Sequence, residues 1–162
     1  MPSSEPPNPP DFQSTATWTP GGFGGSLDGN YTIDTTFPKG KAFADWLFNV
    51  GASTTKGQIF LKDIRNDVSA VTAKISQRWI YQAEPKYFTF NTPVGKPAEA
   101  QCGRVVFTDL HVSSGNKPGG TFPDGCSSTD LSAQEKALAF LFFDLSSCVQ
   151  SDGEIPTPPP PK

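Results

Sequence analysis

The sequence predicts an α/β fold in which a parallel sheet is flanked by helices, and two observations carry that reading. The first is a near-continuous apolar run from Arg104 to Leu110. Such runs suit strands buried on both faces, as parallel strands are. The second is the order of the segments beyond that run. A polar, Gly-rich connection leads from about Val112 to Leu131 into the best-marked helix of the chain. Strand, crossover and helix thus come in the order of an α/β unit.

The earlier elements are read in order. Residues 12–36 are loop material, with four Gly and a Pro between Pro20 and Gly25. Asn30-Tyr31-Thr32 matches an N-glycosylation sequon, a triplet too common to carry weight alone. In PKGKAFADWLFNVGAS, residues Ala42, Phe43, Trp46, Leu47 and Val50 fall on one helical face. Pro38 suits the start of that helix and Gly51 its exit. Trp46 is then a core aromatic. Gln58–Leu61, Gln77–Tyr81 and Tyr87–Phe90 are short β-branched or aromatic runs bounded by turn residues, and they predict strands. Residues 63–76 are weakly patterned and predict irregular chain. The last helix opens on a capping box, Ser132 to Glu135, and buries a stripe of Leu138, Leu141, Phe142, Leu145 and Val149.

Composition sets the domain limits. Of 162 residues, 17 are Pro and 15 Gly, and they are unevenly spread. Residues 1–11 read as a Pro-rich linker, 12–150 as a single α/β domain and 151–162 as a Pro-rich tail with polyproline character. Thirteen Phe and three Trp supply a core. The net charge is −3 and the basic residues are scattered, so nucleic acid is not an expected partner. No stretch is long and apolar enough to predict membrane insertion. Residues 1–11 lack the charged and apolar regions of a signal peptide. The Pro-rich ends suggest a piece of a longer chain.

The candidate site lies where the apolar run ends. His111 is the only histidine, and Asp109 lies two residues before it. On a strand, i and i+2 share a face, so Asp109 can orient His111 for acid–base chemistry at the carboxyl edge of the sheet. Cys126, in the long connection beyond, is a candidate nucleophile beside them. No cofactor is implied. The spacing of Asp109, Asp124 and Asp130 around one histidine supports no metal site.

The other two cysteines read differently. A strand from Cys102 to His111 is about 30 Å long. The helix from Ser132 to Cys148 returns about 24 Å antiparallel to it. Cys102 and Cys148 therefore meet at the far edge, which predicts a disulfide and an oxidising, extracytoplasmic compartment.

GRVVFTDLHVSSG, followed by LSAQEKALAFLFFDLSSCV, resembles the C-terminal end of a ThuA-like (trehalose-utilisation-like) domain. The family's last core strand carries a G-[RK]-V-[VF]-[FY]-T-x-x-H pattern, here Gly103 to His111, and its final helix starts as Ser132 to Lys136 does. FPKGKAFADWLFNVGAS and FTFNTPVG also resemble a subgroup from large exported proteins of myxobacteria and similar bacteria. The resemblance covers roughly residues 35–149. It implies a partial flavodoxin-like, amidotransferase-like sheet whose first half is missing. The chain is then a fragment, or an oligomer completes the sheet. The family's histidine falls on His111, and its nucleophile position falls on nothing here.

Three functions are compatible with these residues. One is a hydrolase with His111 as acid or base, acting on an ester-type or carbohydrate-linked small molecule. The second is a glycan-binding module of a larger exported protein, in which exposed Trp18, Trp79 and Tyr81 meet the sugar. The third is a structural domain between Pro-rich linkers.

Overall fold

A computed structural model describes residues 10–19, 27–112 and 130–146. Along the chain run α1 (Pro10–Gln13), β1 (Ala16–Trp18), β2 (Gly29–Ile33), α2 (Pro38–Asn49), β3 (Gln58–Leu61), β4 (Val68–Val71), β5 (Ser76–Tyr81), β6 (Pro85–Thr92), β7 (Gly103–Thr108) and α3 (Ala133–Ser146). Five strands form one sheet in the order β3-β2-β5-β6-β7, and β1 pairs with β4 in a separate ribbon. Every pairing among the described residues is antiparallel.

This overturns the expected parallel, flavodoxin-like sheet, and β7 shows why. The strand lies at a sheet edge and is covered on both faces by different layers. Val106 packs against the core shared with α2 and α3. Val105 and Phe107 pack against a second core with Val68, Phe88 and Phe90. A run that is apolar on both faces reports two-sided burial, and here a helical layer and a two-stranded ribbon supply it. It carries no information on the direction of the neighbouring strand.

Two helices cover one face of the sheet. At α2, Pro38 takes a first-turn position where its missing N–H costs nothing. Gly40 is needed just beyond it, because a Cβ there would lie 2.0 Å from the Asp34 carbonyl oxygen. Phe43, Ala44 and Leu47 are buried, and Gly51 leaves the helix at φ +69°. At α3 the expected capping box forms. The Ser132 N–H donates to the Glu135 carboxylate (2.7 Å), and the Glu135 N–H donates to Ser132 Oγ (3.3 Å).

The buried face of α3 differs in part from the expected stripe, of which Leu141 is buried and Val149 lies outside the described residues. Ala137 and Leu141 are buried, with Ala133 and Phe140 packed beside them, while Phe142 is 60 % exposed. Residues 138–143 are apolar all round, so hydrophobicity alone cannot choose the face. Asp144 helps choose it, pairing with Lys39 Nζ at 2.7 Å and Arg104 Nε at 3.0 Å. Two further expectations fail in the same physical way. β1 and β2 lie in the segment read as loop, and β4 in the segment read as irregular. All three are short and gain their order from tertiary pairing.

Candidate functional site

β7 ends at Thr108, so Asp109 and His111 do not share a strand face as expected. Asp109 still continues the ladder. Its N–H donates to the Lys86 carbonyl (2.9 Å), and its own carbonyl accepts the Arg65 N–H (3.1 Å). Its side chain is buried, and Oδ2 accepts the Asp67 N–H at 3.2 Å. His111 is exposed, and its carbonyl accepts a hydrogen bond from the Gln134 side-chain amide at 2.8 Å. The carboxylate thus accepts from Asp67 and lies within electrostatic range of Lys86, and it makes no hydrogen bond to the imidazole. Cys126 lies outside the described residues. Cys102 is an exposed free thiol, and Cys148, its expected partner, also lies outside them. The Arg104–Asp144 contact nevertheless brings the end of α3 to the start of β7.

The three aromatics expected at a sugar surface separate. Trp79 is fully buried, donates its indole N–H to Thr89 Oγ1 (2.9 Å), and meets Phe37 edge-on at 5.0 Å. It is a core residue, because the β5 irregularity at Arg78–Ile80 turns Trp79 and Ile80 to the same side. Trp18 packs edge-on against Phe107 at 5.0 Å in the second core. Tyr81 is half-exposed, as Trp18 is, and has the Arg78 guanidinium 3.5 Å from its ring centroid. Such stacking contributes about 0.5–2 kcal/mol. Asp34 holds Arg78 in turn, accepting from Nε at 3.2 Å and Nη2 at 2.9 Å. Burial works to raise the Asp34 carboxyl, but hydrogen bonds from Thr36 and Arg78 outweigh it and hold the group below its ordinary range.

Two arrangements emerge that sequence reasoning misses. The first is a buried polar cluster where β6, β7 and the 62–67 loop meet. The β6–β7 register pairs Tyr87 with Thr108, so Lys86 lies opposite Asp109. Opposed residues share a face with Cβ atoms about 5 Å apart. Lys86 is 1 % exposed and donates from Nζ to Asn66 Oδ1. Glu84 stands 4.0 Å from the same Nζ. Burial pushes the Asp109 carboxyl up from its ordinary 3.8 to about 6, Lys86 and the Asp67 N–H only partly opposing it. Burial also pulls the Lys86 ammonium below its ordinary range, against the attraction of Asp109, Glu84 and Asp67.

The second arrangement is an open sheet face. On β2 and β3, Tyr31, Ile33, Ile59 and Leu61 turn into the helical core, and the alternate residues turn outward. Gln58 and Tyr81 both pair with Thr32, forming one cross-strand row. Asn30 pairs with Phe60 in the next. Gln58, Thr32 and Asn30 are exposed, and Phe60 is 48 % exposed. The face therefore carries two amides, a hydroxyl and two aromatic rings. Only the alternation of Gln58-Ile59-Phe60-Leu61 announces it in sequence.

No family model matches the chain, and neither the curated proteins nor the solved structures hold a significant match. The likeness to trehalose-utilisation-like proteins gains nothing from these comparisons, and the sheet it implied is not the one observed. Among the described residues, no three His, Cys, Asp or Glu side chains gather as a metal site requires. No described helix is long and apolar enough to cross a membrane. A groove of about 480 Å³ along the start of α2 is lined by Thr35 to Pro38 with Lys41, Ala42 and Asp45, and contains no residue of either arrangement.

Proposed function

We propose that the chain is a non-catalytic glycan-binding module of a larger exported protein, and that the open face of β2, β3 and β5 is its ligand surface. The observation that carries this reading is the pair of cross-strand rows, Gln58–Thr32–Tyr81 and Asn30–Phe60. Sugars present apolar C–H faces and a fringe of hydroxyls. Exposed rings accept the former, and uncharged amides and hydroxyls pair with the latter. Strands hold these groups at fixed spacing, which limits the entropy lost on binding. The separation of Asp109 from His111 weighs against a hydrolase.

The test is calorimetric titration of soluble oligosaccharides of varied linkage into the chain. Saturable binding to one class is expected, with Phe60→Ala and Asn30→Ala each weakening it tenfold or more. A broad panel without saturable binding rejects the reading, and so does binding that survives both substitutions.

A further inference from the structure

We propose that Lys86 and Asn66 join in a self-formed isopeptide bond between Nζ and Cγ, with Asp109 as the proton carrier. The reading stands apart from the glycan surface and does not depend on it.

Three reactants are already assembled. Lys86 Nζ is hydrogen-bonded to Asn66 Oδ1, one bond from the carbon it would attack. Asp109 lies across the ladder from Lys86, held by the 2.9 Å bond from its N–H to the Lys86 carbonyl. The residues on either side of Asn66 are fastened to Asp109, Arg65 through the Asp109 carbonyl and Asp67 through Oδ2. The asparagine therefore cannot drift from the pair. Asp109 Oδ1 is buried and makes no hydrogen bond, so a lone pair is available to take a proton. Phe88 and Phe107, two residues away along β6 and β7, belong to an apolar cluster on that side. Reactants held at fixed positions in a largely buried site gain the large effective molarities of intramolecular reactions.

The step balances without a cofactor. Lys86 begins as the ammonium and Asp109 as the carboxylate. Asp109 takes one proton from Nζ, and the neutral amine attacks Asn66 Cγ. Asp109 passes that proton to Nδ2, the Cγ–Nδ2 bond breaks, and ammonia leaves. The remaining excess proton on Nζ moves to Asp109. Two buried opposite charges become a neutral amide and a neutral carboxylic acid. Burial disfavours both starting charges, as the raised Asp109 and lowered Lys86 show, so the reaction relieves two desolvation penalties together.

Intact mass spectrometry of the folded chain, reduced to exclude disulfides, tests this. The expected mass falls short of the sequence by one ammonia, and digestion yields a branched peptide joining Lys86 to Asn66. Lys86→Met and Asn66→Ala should each show the full mass of their sequences, and Asp109→Ala should retain uncross-linked chain. An undiminished mass in the wild type overturns the proposal even if no variant folds. A deficit of water would make Asp109 or Glu84 the acyl donor and likewise overturns it. An ammonia deficit that persists in Lys86→Met assigns the loss elsewhere and does the same.

Discussion

The two ends of the five-stranded sheet solve the same problem in opposite ways. At the β7 end both faces are covered, and the charges caught there are buried with fixed partners. Lys39 and Arg104 share Asp144, and Lys86 faces Asp109 and Asn66. At the β3 end one face is open, and its outward residues are amides, a hydroxyl and rings, with Arg78 stacked on Tyr81 and paired with Asp34. A charge in low dielectric must be met by a partner in place, which makes the β7 end rigid and internally occupied. Neutral polar groups on the open end stay hydrated and remain available to a ligand. On the proposed glycan-binding reading, structural chemistry falls to one end and recognition to the other.

The largest effect should come from breaking the closed end. Asp144→Ala removes a carboxylate that pairs with both Lys39 and Arg104, whose side chains are 3 % and 4 % exposed. Two like charges are then left buried together, and losing one partner of a buried pair costs about 3–5 kcal/mol. Denaturant titration should show a midpoint shifted by that amount, with the slope unchanged. A shift below about 1 kcal/mol would mean that water already reaches the triad.

Much of the local structure is legible in the sequence. The capping box at Ser132–Glu135 and the Pro38-to-Gly51 helix depend on contacts within a few residues, and both form. The sheet direction is not legible. Val105, Val106 and Phe107 would be equally apolar beside a parallel or an antiparallel neighbour, and only the register with β6 decides. The candidate site is half legible. Asp109 stands out in sequence as a carboxylate at the end of an apolar run, but strand spacing points to a partner two residues along the chain. Its actual neighbours, Lys86 across the ladder and Arg65 and Asp67 across a loop, are pairings that periodicity cannot reveal. Trp79 escapes a sequence reading for a related reason, since the irregularity in β5 breaks strict alternation.

A second test examines the charge at Asp109 rather than the packing around it. Its folded pKa, about 6, lies above its ordinary 3.8. The folded state therefore holds this proton more tightly than the unfolded state. The resulting stabilisation is full below about pH 3.8 and is lost as pH rises through about 6. In Asp109→Asn the contribution disappears. The stability of the variant relative to wild type should thus climb between about pH 4 and about pH 7, read from denaturation midpoints at several pH values. A flat difference across that range would show that Asp109 is solvated in the folded protein. Conversion of Lys86 to an amide removes the cation beside Asp109, so cross-linked chain should move the window to higher pH.

The smallest effect probes the open end, and it separates the two ends most sharply. Phe88 and Phe60 are the same residue type on different parts of one sheet. Phe88 is fully buried, with the Phe107 ring 4.9 Å away, whereas Phe60 is 48 % exposed. Truncating a buried Phe to Ala costs about 3–5 kcal/mol through lost transfer energy and the cavity left behind. Phe60→Ala removes surface that water already touches, and substitutions of that kind stay within about 0.5 kcal/mol. Near-wild-type denaturation of Phe60→Ala alongside a tenfold loss of glycan affinity identifies the ring as a ligand contact. Destabilisation approaching that of Phe88→Ala would instead make Phe60 part of the fold. The open face would then be a packing surface for another part of the parent protein, and the division between the two ends would fail.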